Sequence, residues 1–346
     1  MQSFPAWVVR RAESDGGRGA ATASLETLDS DFLDGLSSDD DAGSGPMIDT
    51  VVRVEYSSVN YKDALALTGR PGVVRRWPLV PGIDATGVVI ESHGPWRPGD
   101  VVTLNGAGLG ESLHGGLAGR AHVEGSRLVA VPPTMSARQA AAIGTAGFTA
   151  MLSVLAIERH GVTPQDGPVL VTGASGGVGS IAVSLLAHAG FEVTASTGRV
   201  ATQSAFLTEL GATDVIDRAE LAEAGKPMQT QRWAAVVDAV GGPTLVNAVA
   251  QLRHGGVAAA CGLAQSADYV GTVLPYILRG VTLAGINSVE ASGEERRAAW
   301  DRLESDVDLR LLDGLTSVVP LSAAREVADR VLAGGVRGRT VVEIGG

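Results

Sequence analysis

The sequence predicts an α/β protein in which a β-rich domain is interrupted by a doubly wound parallel-sheet domain. Three observations predict it. Residues 1–138 hold short β-branched runs separated by Gly and Pro breaks, such as Arg97-Pro98-Gly99-Asp100. From about Ala140 onward, Ala-rich stretches of helical period alternate with short apolar runs. One of those runs leads directly into a glycine cluster and a helix. Strands alternating with helices specify βαβ units and a parallel sheet, whereas closely spaced strands with turn signals specify an antiparallel β-rich body.

The strands of the first part are expected at Val51–Tyr56, Thr86–Ile90, Val101–Leu104 and Leu128–Val131. Those of the parallel sheet are expected at Val169–Thr172, Glu192–Ala195, Ala234–Asp238, Gly256–Ala260 and Val281–Leu283. A charged helix, Gly293–Asp306, and a closing strand, Thr340–Ile344, follow. A chain of 346 residues exceeds one ordinary domain. The boundaries that fit are residues 1–138 together with 285–346 for the β-rich domain, and 139–284 for the parallel-sheet domain.

Apolar residues make up 45% and charged residues 19%, values of a globular chain. The formal net charge of −11 argues against nucleic acid or an anionic membrane as partner, since both require a basic face. Eight of those eleven charges come from one stretch between Arg18 and Arg53, which holds Glu26, Asp29, Asp31, Asp34, Asp39, Asp40, Asp41 and Asp49 and no base. Within it, residues 39–46 carry turn residues and no apolar periodicity, and are expected to be a solvated loop. A single cysteine, Cys261, excludes an internal disulfide and a Cys-rich zinc site. The apolar run Phe4–Val9 is too short for a secretory signal, and no apolar stretch is read as reaching the roughly 18 residues of a membrane span. A soluble cytoplasmic protein is expected. Lys62 and Lys226 are the only lysines, and neither lies in an obviously apolar setting that would favour Schiff-base chemistry.

The run Val169 to Ser180 carries most of the functional information. An apolar strand enters Gly173-Ala174-Ser175-Gly176-Gly177-Val178-Gly179 and continues into a helix at Ile181–Ala189. That order points backbone N–H groups at a helix N-terminus, where a pyrophosphate binds. Gly176 lets phosphate approach the backbone, and Gly179 lets the helix pack closely on the strand. Ala174 departs from a strict G-x-G-x-x-G, and a tight turn without ligand is the competing reading. The next strand decides the nucleotide. A dinucleotide site for NAD places an acid about 20 residues past the loop. Here that strand ends in Thr197-Gly198-Arg199. A hydroxyl and a guanidinium suit the 2′-phosphate of NADP, the alternative being an exposed surface arginine.

With these residues in view, the chain resembles the zinc-free medium-chain dehydrogenases/reductases of the acrylyl-CoA reductase and YhdH/YhfP-type quinone oxidoreductase group. The stretches that carry the resemblance are Ser57-Ser58-Val59-Asn60-Tyr61-Lys62-Asp63-Ala64, Pro81-Gly82-Ile83-Asp84-Ala85-Thr86-Gly87, Ile143 to Met151, the glycine loop, Ala260-Cys261-Gly262-Leu263-Ala264 and Gly338-Arg339-Thr340. The resemblance implies a GroES-like catalytic domain interrupted by a Rossmann-type NADP-binding domain. Zinc members carry Cys at the position of Asn60 and His-Glu at Ile83-Asp84, so it implies that metal is absent. The six histidines, His93, His114, His122, His160, His188 and His254, stand at no ligand spacing.

What remains to such an enzyme is conjugate reduction, with hydride from NADPH added to the β-carbon of an activated C=C bond and a proton to the α-carbon. The resemblance implies catalytic roles for Tyr61, Asn60 and Asp84. Tyr61 would donate a hydrogen bond or the proton, and Asn60 would orient or polarise. Asp84 would order water, or instead be a buried residue fixing the turn after Pro81-Gly82. Lys62 and Asp63 read as a simple ion pair. The cofactor ligands implied are Tyr61, Thr149, Ser175, Gly176, Gly177, Val178, Thr197, Gly198, Arg199, Leu263, Ile277, Ser288 and Arg339. A short-chain 2-enoyl-CoA is the first substrate class, quinones or enones the second, and an NADPH-binding protein without catalytic role the third. Arg70, Arg75 and Arg76 are either a rim for CoA phosphates or a plain solvated loop. A homodimer joined through the segment Val281–Val289 is expected, because an exposed sheet edge invites pairing.

Overall fold

The computed structural model describes residues 3–12, 20–34 and 47–345. Two compact units divide the chain. The first comprises Met1–Thr145, Ser288–Trp300 and Leu312–Gly346; the second comprises Ala146–Asn287 and Asp301–Leu311. Nothing in the sequence signals the return of the chain to the second unit after Asp301.

In the first unit, β1 (Phe4–Arg11) and β2 (Ala21–Leu28) pair antiparallel along their whole length. The apolar N-terminal run is thus a strand, with Ala6, Val8 and Val9 fully buried. A short helix α1 (Ser30–Asp34) follows. Glu26 of the acidic stretch lies on β2 and pairs with Arg10 at 2.9 Å. The acid run Asp39-Asp40-Asp41 lies outside the described residues.

Strand β3 (Thr50–Ser58), helix α2 (Tyr61–Leu67), and strands β4 (Asp84–Ser92), β5 (Val101–Asn105), β6 (Arg120–Val123) and β7 (Val129–Ala130) complete the N-terminal part. Helix α3 (Ala137–Arg159) then leads from one unit to the other, with a break in its geometry at Gly144. Its 23 residues are long and apolar enough to cross a membrane, which corrects the expectation that no apolar stretch reaches that length. The physical reason for its composition is burial: 89% of its apolar window lies inside the protein.

The second unit is a six-stranded sheet, all parallel, in the order β10-β9-β8-β11-β12-β13. Its strands are β8 (Val169–Val171), β9 (Val193–Thr197), β10 (Asp214–Asp217), β11 (Trp233–Asp238), β12 (Leu252–Ala260) and β13 (Thr282–Gly285). The helices between them are α4 (Gly177–His188), α5 (Val200–Glu209), α6 (Ala219–Ala222), α7 (Gly242–Ala250) and α8 (Leu274–Arg279). β8, β9 and β11 are buried throughout, as strands covered on both faces must be. Leu170, Trp233, Val236, Val249 and Leu252 form the core. Strand order runs outward in opposite directions from β8 and β11. The crevice beyond their carboxyl ends is therefore the switch point where such sheets bind ligands.

The C-terminal part returns with α9 (Gly293–Asp306), α10 (Leu309–Gly314), β14 (Thr316–Pro320), α11 (Ala324–Leu332) and β15 (Arg339–Glu343). β15 enters the sheet of the first unit beside β3, giving the order β14-β15-β3-β4-β5-β7, with β6 also on β3. Trp7, Val54, Leu67, Leu104, Leu117 and Val342 are among its core. The insertion of β15 joins residues nearly 300 positions apart, and this junction is where the candidate site of the unit is built.

Candidate active site

In the second unit the glycine loop and the end of β9 come together. Gly173 adopts φ +60°, and the N-terminus of α4 at Gly176 carries no side-chain cap. A Cβ on Gly179 would stand 2.4 Å from the Gly173 carbonyl oxygen and 2.6 Å from Ala174 Cα. Only glycine lets the helix approach this closely, so the uncapped N–H groups face the loop. The partial positive charge of a helix N-terminus then favours an anionic group there.

Thr197 and Ser175 hydroxyls lie 3.2 Å apart, and Arg199 Nη2 donates to Ser175 Oγ at 3.3 Å. Ser175 and Thr197 are buried, and the neighbouring Ser196 hydroxyl is buried without a hydrogen-bond partner. A second guanidinium, unforeseen in the sequence, joins them. The Arg218 backbone N–H donates to the Thr197 carbonyl at 3.0 Å, and a Cβ on Gly198 would stand 2.5 Å from Arg218 Nε. Arg218 follows β10, whose parallel pairing with β9 carries it to this corner. Two arginines, two hydroxyls, a bare glycine and no carboxylate in Thr197-Gly198-Arg199 fit a phosphate ester beside an uncapped helix. They do not fit the acid-on-ribose pattern of an NAD site.

At the switch point, Thr172 Oγ1 donates to Asp238 Oδ1 at 2.6 Å, and the Gly241 N–H donates to Asp238 Oδ2 at 2.7 Å. Burial pushes the Asp238 carboxyl up from its ordinary value. Cys261 packs on the Asp238 carbonyl, and burial with that charge nearby pushes the thiol up to about 12. It is a thiol, not a nucleophilic thiolate, at neutral pH. Of the other residues expected at the cofactor, Thr149 is buried on α3, while Leu263 and Ile277 are 57% and 71% exposed.

The first unit holds Asn60, Tyr61, Asp84, Ser288 and Arg339. Asn60 caps α2, so Tyr61 occupies its first turn, 42% exposed. Asp84 begins β4 and is fully buried. Its Oδ2 accepts from Ser58 Oγ and from Asn60 Nδ2 at 2.8 Å. Its Oδ1 accepts from Asn105 Nδ2 at 2.9 Å and from both the N–H and the hydroxyl of Thr145 at 2.7 Å. Five donors satisfy one carboxylate, which answers the desolvation cost of placing its charge inside. Of the two roles considered for Asp84, the geometry gives it the buried one, although what it fixes is far more than the turn after Gly82.

Arg339 is 2% exposed. Its guanidinium donates to the Ala142 carbonyl at 2.6 Å, Asn60 Oδ1 at 3.0 Å and Ser58 Oγ at 2.8 Å, and lies 3.9 Å from Asp84. Burial lowers its pKa, and Asp84 and Asp63 oppose that shift. Arg339, expected among the cofactor ligands, has its guanidinium buried among these partners. Gly144 makes the arrangement possible. It stands at φ +48°, and a Cβ there would be 2.7 Å from both Arg339 Nη2 and Asp84 Oδ2.

Lys62 and Asp63 are not an ion pair. Lys62 Nζ bonds Glu111 Oε1 at 2.6 Å, whereas Asp63 is 1% exposed and faces the other way. Adjacent helix residues point about 100° apart, which separates them. Asp63 Oδ1 accepts from the Ile83 N–H at 2.8 Å, and its Oδ2 from Asn60 N and Nδ2 at 2.8 and 3.1 Å. Burial and the nearby Asp84 push Asp63 up to about 7.

Ser288, 9% exposed, is held through its backbone. The buried Arg296 guanidinium donates to the carbonyls of Ser288, Val289, Ala291 and Asn105, at 2.6 to 3.1 Å. Burial lowers Arg296 to about 10, still cationic at neutral pH. Trp300 Nε1 donates to Asn105 Oδ1 at 3.2 Å, and Asn105 in turn donates to Asp84. Arg218, Arg296 and Asn105 were not singled out in the sequence. Arg296 and Asn105 act through backbone carbonyls and a buried amide, for which no local motif exists.

Residues 47–150 match the alcohol dehydrogenase GroES-like domain family, and residues 177–305 match the zinc-binding dehydrogenase family. The acrylyl-CoA reductase AcuI of Ruegeria pomeroyi is 43% identical over 99% of both chains. The chain belongs to the medium-chain dehydrogenase/reductase family, with the acrylyl-CoA reductase and YhfP/YhdH members as its relatives. The putative quinone oxidoreductase YhfP of Bacillus subtilis is 40% identical over 86% of this chain and 91% of its own. Among solved structures, the YhdH oxidoreductase of Salmonella enterica in complex with NADP superposes with a TM-score of 0.90. It shares 42% identity and covers 99% of this chain and 100% of that one. A GroES-like domain with a Rossmann-type domain is accordingly the fold of this family member, as its sequence predicts.

Proposed function

We propose that this protein is an NADPH-dependent reductase of the C=C bond of a short-chain 2-enoyl-CoA such as acrylyl-CoA. The single observation that carries the reading is its 43% identity to an acrylyl-CoA reductase from end to end of both chains. When bound, NADPH supplies the hydride that adds to the β-carbon of the thioester. The uncapped N-terminus of α4, with Gly176, Gly177 and Val178, would hold the pyrophosphate. Ser175, Thr197, Gly198, Arg199 and Arg218 would hold the 2′-phosphate, and Thr149, Leu263, Ile277 and Ser288 would line the rest of the cofactor. The exposed Tyr61 hydroxyl would meet the nicotinamide region, stabilise the enolate oxygen by hydrogen bonding, or deliver the proton to the α-carbon. Asn60 and Asp84, whose polar atoms are taken up by one another and by Arg339, would act by positioning rather than by touching substrate.

The chain's own donors do not suit zinc. Asn60 and Ile83 are not zinc ligands, and no group of three His, Cys, Asp or Glu side chains among the described residues has ligand geometry. A cytoplasmic homodimer is part of the reading. β13 is the outermost strand of its sheet, and Val270, Val273 and Leu278 nearby are each more than 60% exposed, a surface suited to a second copy.

A second reading, reduction of quinones or enones, is favoured by the similarity to YhfP. NADPH oxidation measured with acryloyl-CoA, crotonyl-CoA and 1,4-benzoquinone side by side decides between them. Turnover of a thioester is expected. Turnover of the quinone alone would select the second reading, and NADPH binding without turnover would select a non-catalytic role.

A further inference from the structure

We propose that Asp63 is a positioning residue: as a carboxylate it holds the first turn of α2, and with it the Tyr61 ring, in the arrangement from which reduction proceeds. This rests on the role given to Tyr61 above.

The geometry demands an anion. Every hydrogen-bond partner of the Asp63 carboxyl is a donor: the backbone N–H of Asn60, the Asn60 amide and the backbone N–H of Ile83. Arg339 fixes the Asn60 amide so that its nitrogen must point at the two carboxylates. A proton on Asp63 would weaken these bonds, because a neutral carboxyl is a poorer acceptor than a carboxylate, and its O–H would find no acceptor among the three donors. Two of the bonds close the loop between Asn60, the cap of α2, and Asp63, its third helical residue; Tyr61 lies between them. The third ties that turn to the start of the Ile83-Asp84 segment. Loss of the carboxylate acceptor therefore loosens the segment that presents Tyr61.

The charges facing Asp63 oppose one another. Asp84 on β4 disfavours its ionisation, the Arg339 guanidinium on β15 favours it, and Lys62, its chain neighbour, is occupied by Glu111. With burial added, the balance brings Asp63 to about 7, within reach of cellular pH. The carboxylate is costly inside the protein yet required by its neighbours.

The chain has four tyrosines, so 13C-labelled tyrosine gives few ring signals, and Tyr61→Phe identifies the one of interest. The backbone amides of Asn60 and Ile83 report the Asp63 proton in the unaltered chain. Between pH 5.5 and 8.5 these amides and the Tyr61 ring are expected to shift with one common midpoint near 7. kcat with acryloyl-CoA should fall below that midpoint, approaching tenfold per pH unit, while NADPH affinity stays level. Asp63→Asn should lower kcat and flatten its profile. Amides that titrate while Tyr61 does not, or an Asp63→Asn enzyme that keeps the wild-type profile, would overturn the proposal. The nuclear resonance arm needs no turnover. Failure of the enoyl-CoA reading shows instead as no thioester activity, and failure of the Tyr61 role as an unimpaired Tyr61→Phe enzyme.

Discussion

Arg339 and Asn60 stand 279 positions apart in the chain, and Arg339 Nη1 donates to Asn60 Oδ1 at 3.0 Å. The bond fixes which way the Asn60 amide faces, since a guanidinium can bond only its oxygen. Its nitrogen then serves Asp84, Asp63 and Ser58. An asparagine that the sequence suggests for orienting a substrate is thus committed to the protein's own interior.

Replacing Asp84 by Asn should be among the most destabilising changes in the first unit. The amide would turn an NH2 toward donors and deprive Arg339 of the carboxylate 3.9 Å away. A buried ion pair broken on one side costs about 3–5 kcal/mol. Urea unfolding of Asp84→Asn should show a loss of about that size, while an isosteric change at an exposed site such as Asp214→Asn should show almost none.

Arg199→Ala should weaken NADPH much more than NADH. Hydrogen bonds to a charged group contribute about 1.5–3 kcal/mol, which corresponds to roughly 10- to 100-fold in affinity. Arg218→Ala should act in the same direction, since its guanidinium meets the same corner. Fluorescence titration with both nucleotides checks each variant; equal losses for the two nucleotides would remove the arginine from the 2′-phosphate.

Tyr61→Phe should lower kcat with acryloyl-CoA by about 100-fold, the lower end of general acid–base contributions. NADPH affinity should change little, because the ring remains. Steady-state kinetics together with a nucleotide titration separate the two effects.

The pH dependence of stability carries a component located at His114. Its Nδ1 accepts the Val80 N–H at 3.1 Å, and burial lowers its pKa to about 4. The unfolded chain gains the proton near pH 6.5, the folded one only near 4. The neutral ring's stabilisation is therefore complete above pH 6.5 and is lost as pH drops from there toward 4, up to about 3 kcal/mol in all. Asp63 runs opposite: its folded pKa is raised, so its contribution is greatest below about pH 4 and declines as pH rises through 7. Thermal melts of His114→Asn, which keeps an acceptor for Val80, should rise relative to those of the unaltered chain as pH drops from 6.5 to 4.

The two candidate site regions, one in each unit, differ in how plainly the sequence announces them. Gly173 to Gly179 and Thr197-Gly198-Arg199 are contiguous runs whose conformations follow from local rules, so both are legible in the order of residues alone. The Asp84 centre is different. Its donors come from Ser58, Asn60, Asn105 and Thr145, and Arg339 reaches them only because β15 pairs with β3. Motif spacing does not record such pairing, and nothing in Gly338-Arg339-Thr340 announces that the Arg339 guanidinium is interior. Lys62 and Asp63 show a smaller version of this limit, since neighbours of opposite charge look paired until the helix turns them apart. The strands β1 and β2 are not among the expected elements, and of α3 the sequence shows the helical period but not its full apolar length, which follows from tertiary burial.

The approach at Gly144 has a consequence for how this chain can vary. Arg339 and Asp84 each stand where a methyl group on residue 144 would have to go. Engineering the network from either end, by shortening the arginine or the carboxylate, is open to experiment. Adding even one carbon at 144 is not, because φ +48° with ψ −161° is open essentially to glycine alone whichever side chains face it, so a library that randomises these positions together should return every functional clone with the hydrogen atom of glycine still at the centre.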